Sequence, residues 1–365
     1  MMRSAFSSLK QTAAFTGLLL LVLLAPWLAG QRFLPPREES YSSVAWRFGA
    51  YPYLEQQIFK ETNAIDIAFL GSSHMWWGVN APYVQAALSQ HVGRPATVVT
   101  LGWEWPGFDA VYFIAKDLLQ HRRLQVLVIC DEQPIPYRRP QTMSHRWFRY
   151  GDDWADLTGL SLPLQAAYYS GAILGLPRNL LGLVRPNLPA DLTATPYLND
   201  KYHAANPATT MGSLGVCLPY QVGGCFVPFQ PSTGVNPAAT CIYSPATAAS
   251  FKFTGPATTP LQFYFARKIM ALAESYHVQV VFLHFPTDRE IRSPLIHERE
   301  CWPEILAGHP WLVGVPPAAM FQGLNDEDAF KCFSGPDHFS KNGQDFFTAL
   351  ITPSLLSAYD TSTHH

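Results

Sequence analysis

Two short segments near opposite ends of this 365-residue chain hold residue types suited to nucleophilic catalysis by a hydroxyl. Ile65-Asp66-Ile67-Ala68-Phe69-Leu70 runs into Gly71-Ser72-Ser73-His74, and Asp337-His338-Phe339-Ser340 stands shortly before Gly343. A serine hydroxyl is a weak nucleophile until a base within hydrogen-bond reach takes its proton, and histidine suits that task near neutral pH. Ser72 or Ser73, with His338, supplies such a pair. Asp337, Asp326, Asp328 or a backbone carbonyl would then orient the imidazole. The competing reading is structural: Ser72 or Ser73 caps the helix that begins near Asn80 and Ala81, and Asp337 and His338 cap the last helix.

Such a pair needs a frame that brings the two ends of the chain to one place. Apolar stretches at 65 to 70, 96 to 101, 124 to 130 and 279 to 285, with a weaker one at 311 to 315, read as buried parallel strands. Helical patterns at about 81 to 90, 107 to 121, 260 to 276 and 340 to 358 alternate with them. The alternation predicts an α/β fold, a three-layer sandwich around a mainly parallel sheet, in which ligands sit at the carboxyl edge of the strands. Ser73 falls on that edge. The catalytic domain is then 61 to 133 and 260 to 358, with 33 to 60 as a lead-in. Residues 134 to 259, rich in proline, form a long insertion that is helical near 157 to 184 and otherwise loop, and 359 to 365 form a loose tail.

The two outer segments resemble the first and last signature blocks of the SGNH (GDSL-like) hydrolase superfamily. More narrowly, they resemble its membrane-anchored branch, which includes the D-alanyl transfer protein of teichoic acid and exopolysaccharide O-acetylation proteins. The family's first block reads Gly-Asp-Ser, and this branch carries the Gly-Ser-Ser variant seen at Gly71-Ser72-Ser73. The last block reads Asp-x-x-His followed by Leu or Phe, Ser or Asn, and then Gly or Ala. His338-Phe339-Ser340-Lys341-Asn342-Gly343 is similar, with Gly335 where the family has its aspartate.

The resemblance implies Ser73 as nucleophile and His338 as base, with no metal or organic cofactor. It also implies a serine esterase or acyltransferase, most simply an acetyl one, that acts on a cell-envelope or secreted polysaccharide beside a membrane-bound O-acyltransferase partner. The middle blocks fit less closely. Leu101-Gly102-Trp103-Glu104-Trp105-Pro106-Gly107 follows the second strand, where the family places an oxyanion-hole glycine, so Gly102 or Gly107 joins the Ser73 N–H as donor. Where the family has Gly-x-Asn-Asp, this chain reads Cys130-Asp131-Glu132-Gln133, which leaves Gln133 as the amide.

Trp76 and Trp77 follow the serine turn, and Trp103 and Trp105 bracket Glu104. Flat indoles at a cleft rim stack on sugar C–H faces or acyl chains; packing under the insertion is the alternative use for them. His284, at the end of the fourth strand, is a substrate contact or a core histidine, and His74 points away from Ser73 if the backbone is extended there, which puts it behind the pair and not in it. The departures in the middle blocks support a second class of function, a catalytically silent polysaccharide-binding or scaffolding subunit.

With a formal net charge of -2 and only 14% charged residues, the chain has no global basic field with which to hold nucleic acid. From Ala13 to Gly30 it carries no charge, and Arg3 and Lys10 lie on its amino side. This predicts a transmembrane signal-anchor helix within residues 1 to 32, or a cleaved signal peptide, with the remainder on the periplasmic or extracellular side. Six cysteines suit an oxidising compartment. Cys130 lies in an apolar strand as a buried thiol, Cys217 can pair with Cys225 or give way to Cys241, and Cys301 with Cys332 is a second candidate pair. No spacing matches a zinc site.

Overall fold

The computed structural model describes residues 8–33, 36–42, 51–103, 107–130, 153–171, 241–243, 259–291, 311–315, 320–321, 324–335 and 338–363. Its centre is a six-stranded sheet of β1 (Ile65–Gly71), β2 (Val98–Gly102), β3 (Leu124–Cys130), β4 (Cys241–Tyr243), β5 (Gln279–Leu283) and β6 (Trp311–Gly314), in the order β2-β1-β3-β5-β6-β4. All neighbours pair parallel except β4, which runs antiparallel to β6 on the edge. The near-continuous Val, Ile, Leu and Phe runs have a plain cause: a parallel sheet is covered on both faces.

That covering comes from alternate residues of each strand. Ala68 and Leu70 of β1 join a core with α6 (Phe108–His121) and α7 (Pro260–Ser275). Ile67 and Phe69 face the opposite core, formed with α5 (Ala81–Val92) and α9 (Lys341–Thr363). The chain is therefore α/β with helices on both faces of a mainly parallel sheet. Strand order reverses beside β1, since β2 lies on one side of it and β3 on the other. Open α/β sheets bind ligands at the carboxyl edge of such a switch point.

The flanking segments depart from expectation. Residues 36 to 60 form α2 (Arg37–Ser42), α3 (Tyr51–Glu55) and one π-helical turn, and they bury Tyr41, Tyr51, Leu54 and Ile58 in the core. Tyr41 donates to Asp117 at 2.8 Å, and Arg37 forms an ion pair with Asp117 and, at 3.0 Å, with Asp153, so the lead-in is fastened to α6. The tail expected at 359 to 365 continues α9 to Thr363. Tyr359 explains this, because its hydroxyl is buried against Asp66 (2.9 Å) and Arg94 (2.8 Å) at the sheet edge. Within the insertion, a 3-10 turn at Trp154–Leu157 and a helix over 162 to 171 pack against α6, and Cys241–Tyr243 supplies the edge strand.

At the amino terminus α1 (Leu9–Phe33) is a continuous 25-residue helix. Among the described residues no helix is long and apolar enough to cross a membrane; the described side chains of α1 cover its apolar run only in part, ending at Leu24. Cys217, Cys225 and Cys301 lie outside the described residues. Cys130 is buried at the end of β3. The Cys301–Cys332 bridge is corrected: Cys332 is a buried thiol whose Sγ lies 3.7 Å from the Asp328 carbonyl, and burial, with a smaller contribution from Asp328, pushes its pKa up to about 12.

Candidate active site

The edge where β1 ends is built by the sequence Gly71-Ser72-Ser73. Ser72 has extended backbone, and its Oγ accepts from the His74 N–H at 3.4 Å, which makes it the N-cap of a short helix, α4 (Ser73–Gly78). The two serines therefore divide the two roles that the sequence left open. Ser72 is buried and spends its hydroxyl on the cap, while Ser73, half-buried in the first turn, keeps its hydroxyl for a partner outside the helix. Helix α4 was not expected from the sequence, which places the next helix at Asn80. Asn80 is indeed a second cap, accepting from the Tyr83 N–H at 3.3 Å to start α5.

The partner comes from the far end of the chain. After α8 (Asp326–Lys331), β7 (Phe333–Gly335) and β8 (His338–Phe339) form a small antiparallel hairpin with Gly335 opposite His338. His338 Nε2 lies 2.9 Å from Ser73 Oγ, hydrogen-bond distance for a serine and its general base. The His74 ring packs against the His338 ring with centroids 5.1 Å apart and planes tilted by 58°. His74 therefore lies beside His338. The sequence turns it away from Ser73 only if the backbone is extended there, and that condition is not met, because Ser73–Gly78 is helical.

Two sets of contacts hold the halves of the pair in register. Ser340 N–H bonds the Cys332 carbonyl at 2.8 Å, and Ser340 Oγ accepts from the Gly343 N–H at 3.3 Å, so α9 starts directly behind β8. A Cβ on Gly343 would overlap the Cys332 carbonyl oxygen, which is why this close approach needs glycine. On the serine side, the Asn80 N–H bonds Thr348 Oγ1 at 2.9 Å, Asn80 Nδ2 bonds Asp345 at 2.9 Å, and Gln344 Nε2 reaches the Val79 carbonyl at 3.2 Å. These groups are buried. A buried polar network that is satisfied fixes one arrangement of its elements, here the α4–α5 turn against α9.

No family model matches this chain, nor does any curated protein or solved structure.

The remaining candidates divide by position. Gly102 ends β2 directly across from Gly71 in the parallel ladder, and the Trp103 N–H bonds the Gly71 carbonyl at 3.2 Å, so the β2 end lies alongside the serine turn. Gly107, at φ 139°, caps α6 in a backbone region that only glycine enters readily. Trp103 is corrected as a stacking surface: it is fully buried in the core with Phe108 and Leu101. His284 is likewise fully buried, with its backbone N–H bonded to the Val313 carbonyl at 2.9 Å, the placement of the core histidine that the sequence also offered. Trp76 and Trp77 lie on α4, with side chains outside the described set; Trp105, Gln133 and Asp337 lie outside the described residues.

A cavity of about 700 Å³ opens at the opposite edge of the sheet, between the ends of α6 and α7, lined by Arg122, Arg123, Tyr276 and His277 among others. It lies at the amino ends of β3 and β5, away from Ser73. The Ser73–His338 pair stands at the other edge, beside the strand-order switch.

Proposed function

We propose that this chain is an exported, SGNH-like serine acyltransferase or esterase that moves or removes an acyl group, acetyl first, on a cell-envelope or secreted polysaccharide. One observation carries the reading: Ser73 Oγ and His338 Nε2 stand 2.9 Å apart at the carboxyl edge of the strand-order switch. Ser73 Oγ attacks the acyl carbonyl while His338 takes its proton. The Ser73 and Gly102 amides hold the resulting oxyanion. Collapse to the acyl-serine expels the leaving alkoxide, which takes the proton back from His338. A sugar hydroxyl then repeats the sequence in reverse for transfer, or water does so for hydrolysis.

The polysaccharide part rests on the resemblance and on the place of Trp76 and Trp77 immediately after the serine turn. Export rests on the uncharged run from Ala13 to Gly30, with Arg3 and Lys10 on its amino side. A membrane-bound O-acyltransferase is the partner that the same resemblance suggests.

The test is to incubate the full-length protein with an O-acetylated polysaccharide and follow the acetyl signals by proton NMR. The expected result is loss or relocation of acetyl groups that vanishes in Ser73→Ala. Identical spectra for the two proteins across several acetylated polymers would overturn the assignment.

A further inference from the structure

The Ser73–His338 pair sits on unequal supports. Ser73 is fixed by the first turn of α4, whereas His338 belongs to a two-residue strand in a two-stranded hairpin, an element with little stability of its own. A histidine ring also turns easily about its outer torsion, so strand pairing alone does not aim Nε2 at the serine. The ring of His74 packs against that of His338, with centroids 5.1 Å apart and a 58° tilt, both imidazoles half-buried. The turn of α4 that presents the nucleophile also presents, one residue later, a flat surface against its base.

We infer that His74 is a positioning residue, holding the His338 ring in the orientation that directs Nε2 to Ser73 Oγ. This rests on the proposed function, and it assigns a role that neither the sequence motif nor the paired distance carries. His74 itself takes no proton from the serine. It acts by ring packing, so an aromatic ring without nitrogens will substitute for it.

The experiment labels the full-length protein in detergent with a fluorophosphonate and reads the rate by intact mass, with melting temperature measured in parallel. The proteins compared are wild type, Ser73→Ala, His74→Phe, His74→Ala and His74→Gln. Loss of the ring in His74→Ala is expected to slow labelling by about tenfold or more at an unchanged melting temperature, and His74→Phe to return it to within about threefold of wild type. His74→Gln removes the ring with a good helix former and gives the same reading if the alanine protein folds poorly. Labelling of the alanine or glutamine protein at the wild-type rate overturns the inference. So does a phenylalanine protein as slow as the ringless ones, which would place the effect in a His74 nitrogen. Wild-type protein that takes no Ser73-dependent label overturns the functional reading and this inference with it, whereas full labelling with indifferent His74 variants overturns this inference alone.

Discussion

Gly335 stands directly across the β7–β8 ladder from His338. In the proposed SGNH-like reading this position, three residues before the histidine, is where an aspartate that orients the imidazole would stand. The ladder is irregular between Phe333 and Gly335, but paired residues hold their Cβ atoms about 5 Å apart, so a carboxylate placed at 335 is expected within reach of the ring. Gly335→Asp is therefore expected to speed fluorophosphonate labelling of Ser73 by about tenfold, because a carboxylate stabilises the imidazolium. Slower labelling in a protein of unchanged melting temperature would contradict this relationship.

Gly343 lets α9 begin against the Cys332 carbonyl. Gly343→Ala forces those backbones apart and is expected to cost about 1 to 3 kcal/mol, as overpacking does. Because β8 is tied to the same helix start through Ser340, His338 moves with it, and labelling of Ser73 is expected to fall by up to about 100-fold. Denaturant titration and labelling rate together check this; a loss of stability with an unchanged rate would separate the glycine from the site.

How much of this was legible in the sequence depended on whether a residue's role was set locally. The five parallel strands and the helices α5, α6, α7 and α9 follow from long apolar runs and helical spacing, which tertiary contacts reinforce. Ser73 and His338 were legible because their blocks end a strand and begin a helix. What escaped depended on distant partners. Cys241–Tyr243 is too short to read as a strand until β6 pairs with it. Tyr359 looks like tail until Asp66 and Arg94 are beside it. Trp103, beside a polar loop in sequence, turns into the core. The direction of His74 stays conditional in the sequence because the turn that begins α4 has only Ser72 as its signal, and one hydroxyl does not tell a cap from a nucleophile.

Acid should weaken the contact between the insertion and the sheet's helices. Burial favours protonation of Asp156, but Lys116, Lys268 and Tyr112, each within hydrogen-bond distance, outweigh it and hold the carboxyl below its usual range. Asp66 is held low in the same way, burial being outweighed by Arg94, the Thr97 N–H and Tyr359. A carboxyl whose pKa is depressed by folding contributes stability above its unfolded value, about 3.9 for aspartate, and loses it as pH falls through the folded value. Asp156→Asn is expected to cost about 2 to 3 kcal/mol at neutral pH, as removal of one member of a largely buried charged network does. Melting curves from about pH 5 down to about pH 2 should then fall less steeply for the variant than for wild type. Parallel curves would contradict the assignment.

Cys332, with its pKa pushed up to about 12 by burial, is neutral and shielded at ordinary pH. Iodoacetamide at about pH 8 is expected to leave it unmodified in the native protein and to alkylate it once the chain is unfolded, as thiolate-dependent reactivity requires. Non-reducing peptide mapping gives the complementary check: a Cys301–Cys332 peptide would contradict the structure at this point.

The central claim is that Ser73 is a nucleophile activated by His338. Intact mass spectrometry of the full-length protein after exposure to a fluorophosphonate, beside Ser73→Ala and His338→Ala, tests it most directly. A single adduct on the wild-type protein that is absent from Ser73→Ala and slowed by at least about 1,000-fold in His338→Ala is the expected result. An adduct that survives in Ser73→Ala, or a His338→Ala protein that labels at the wild-type rate, would contradict it.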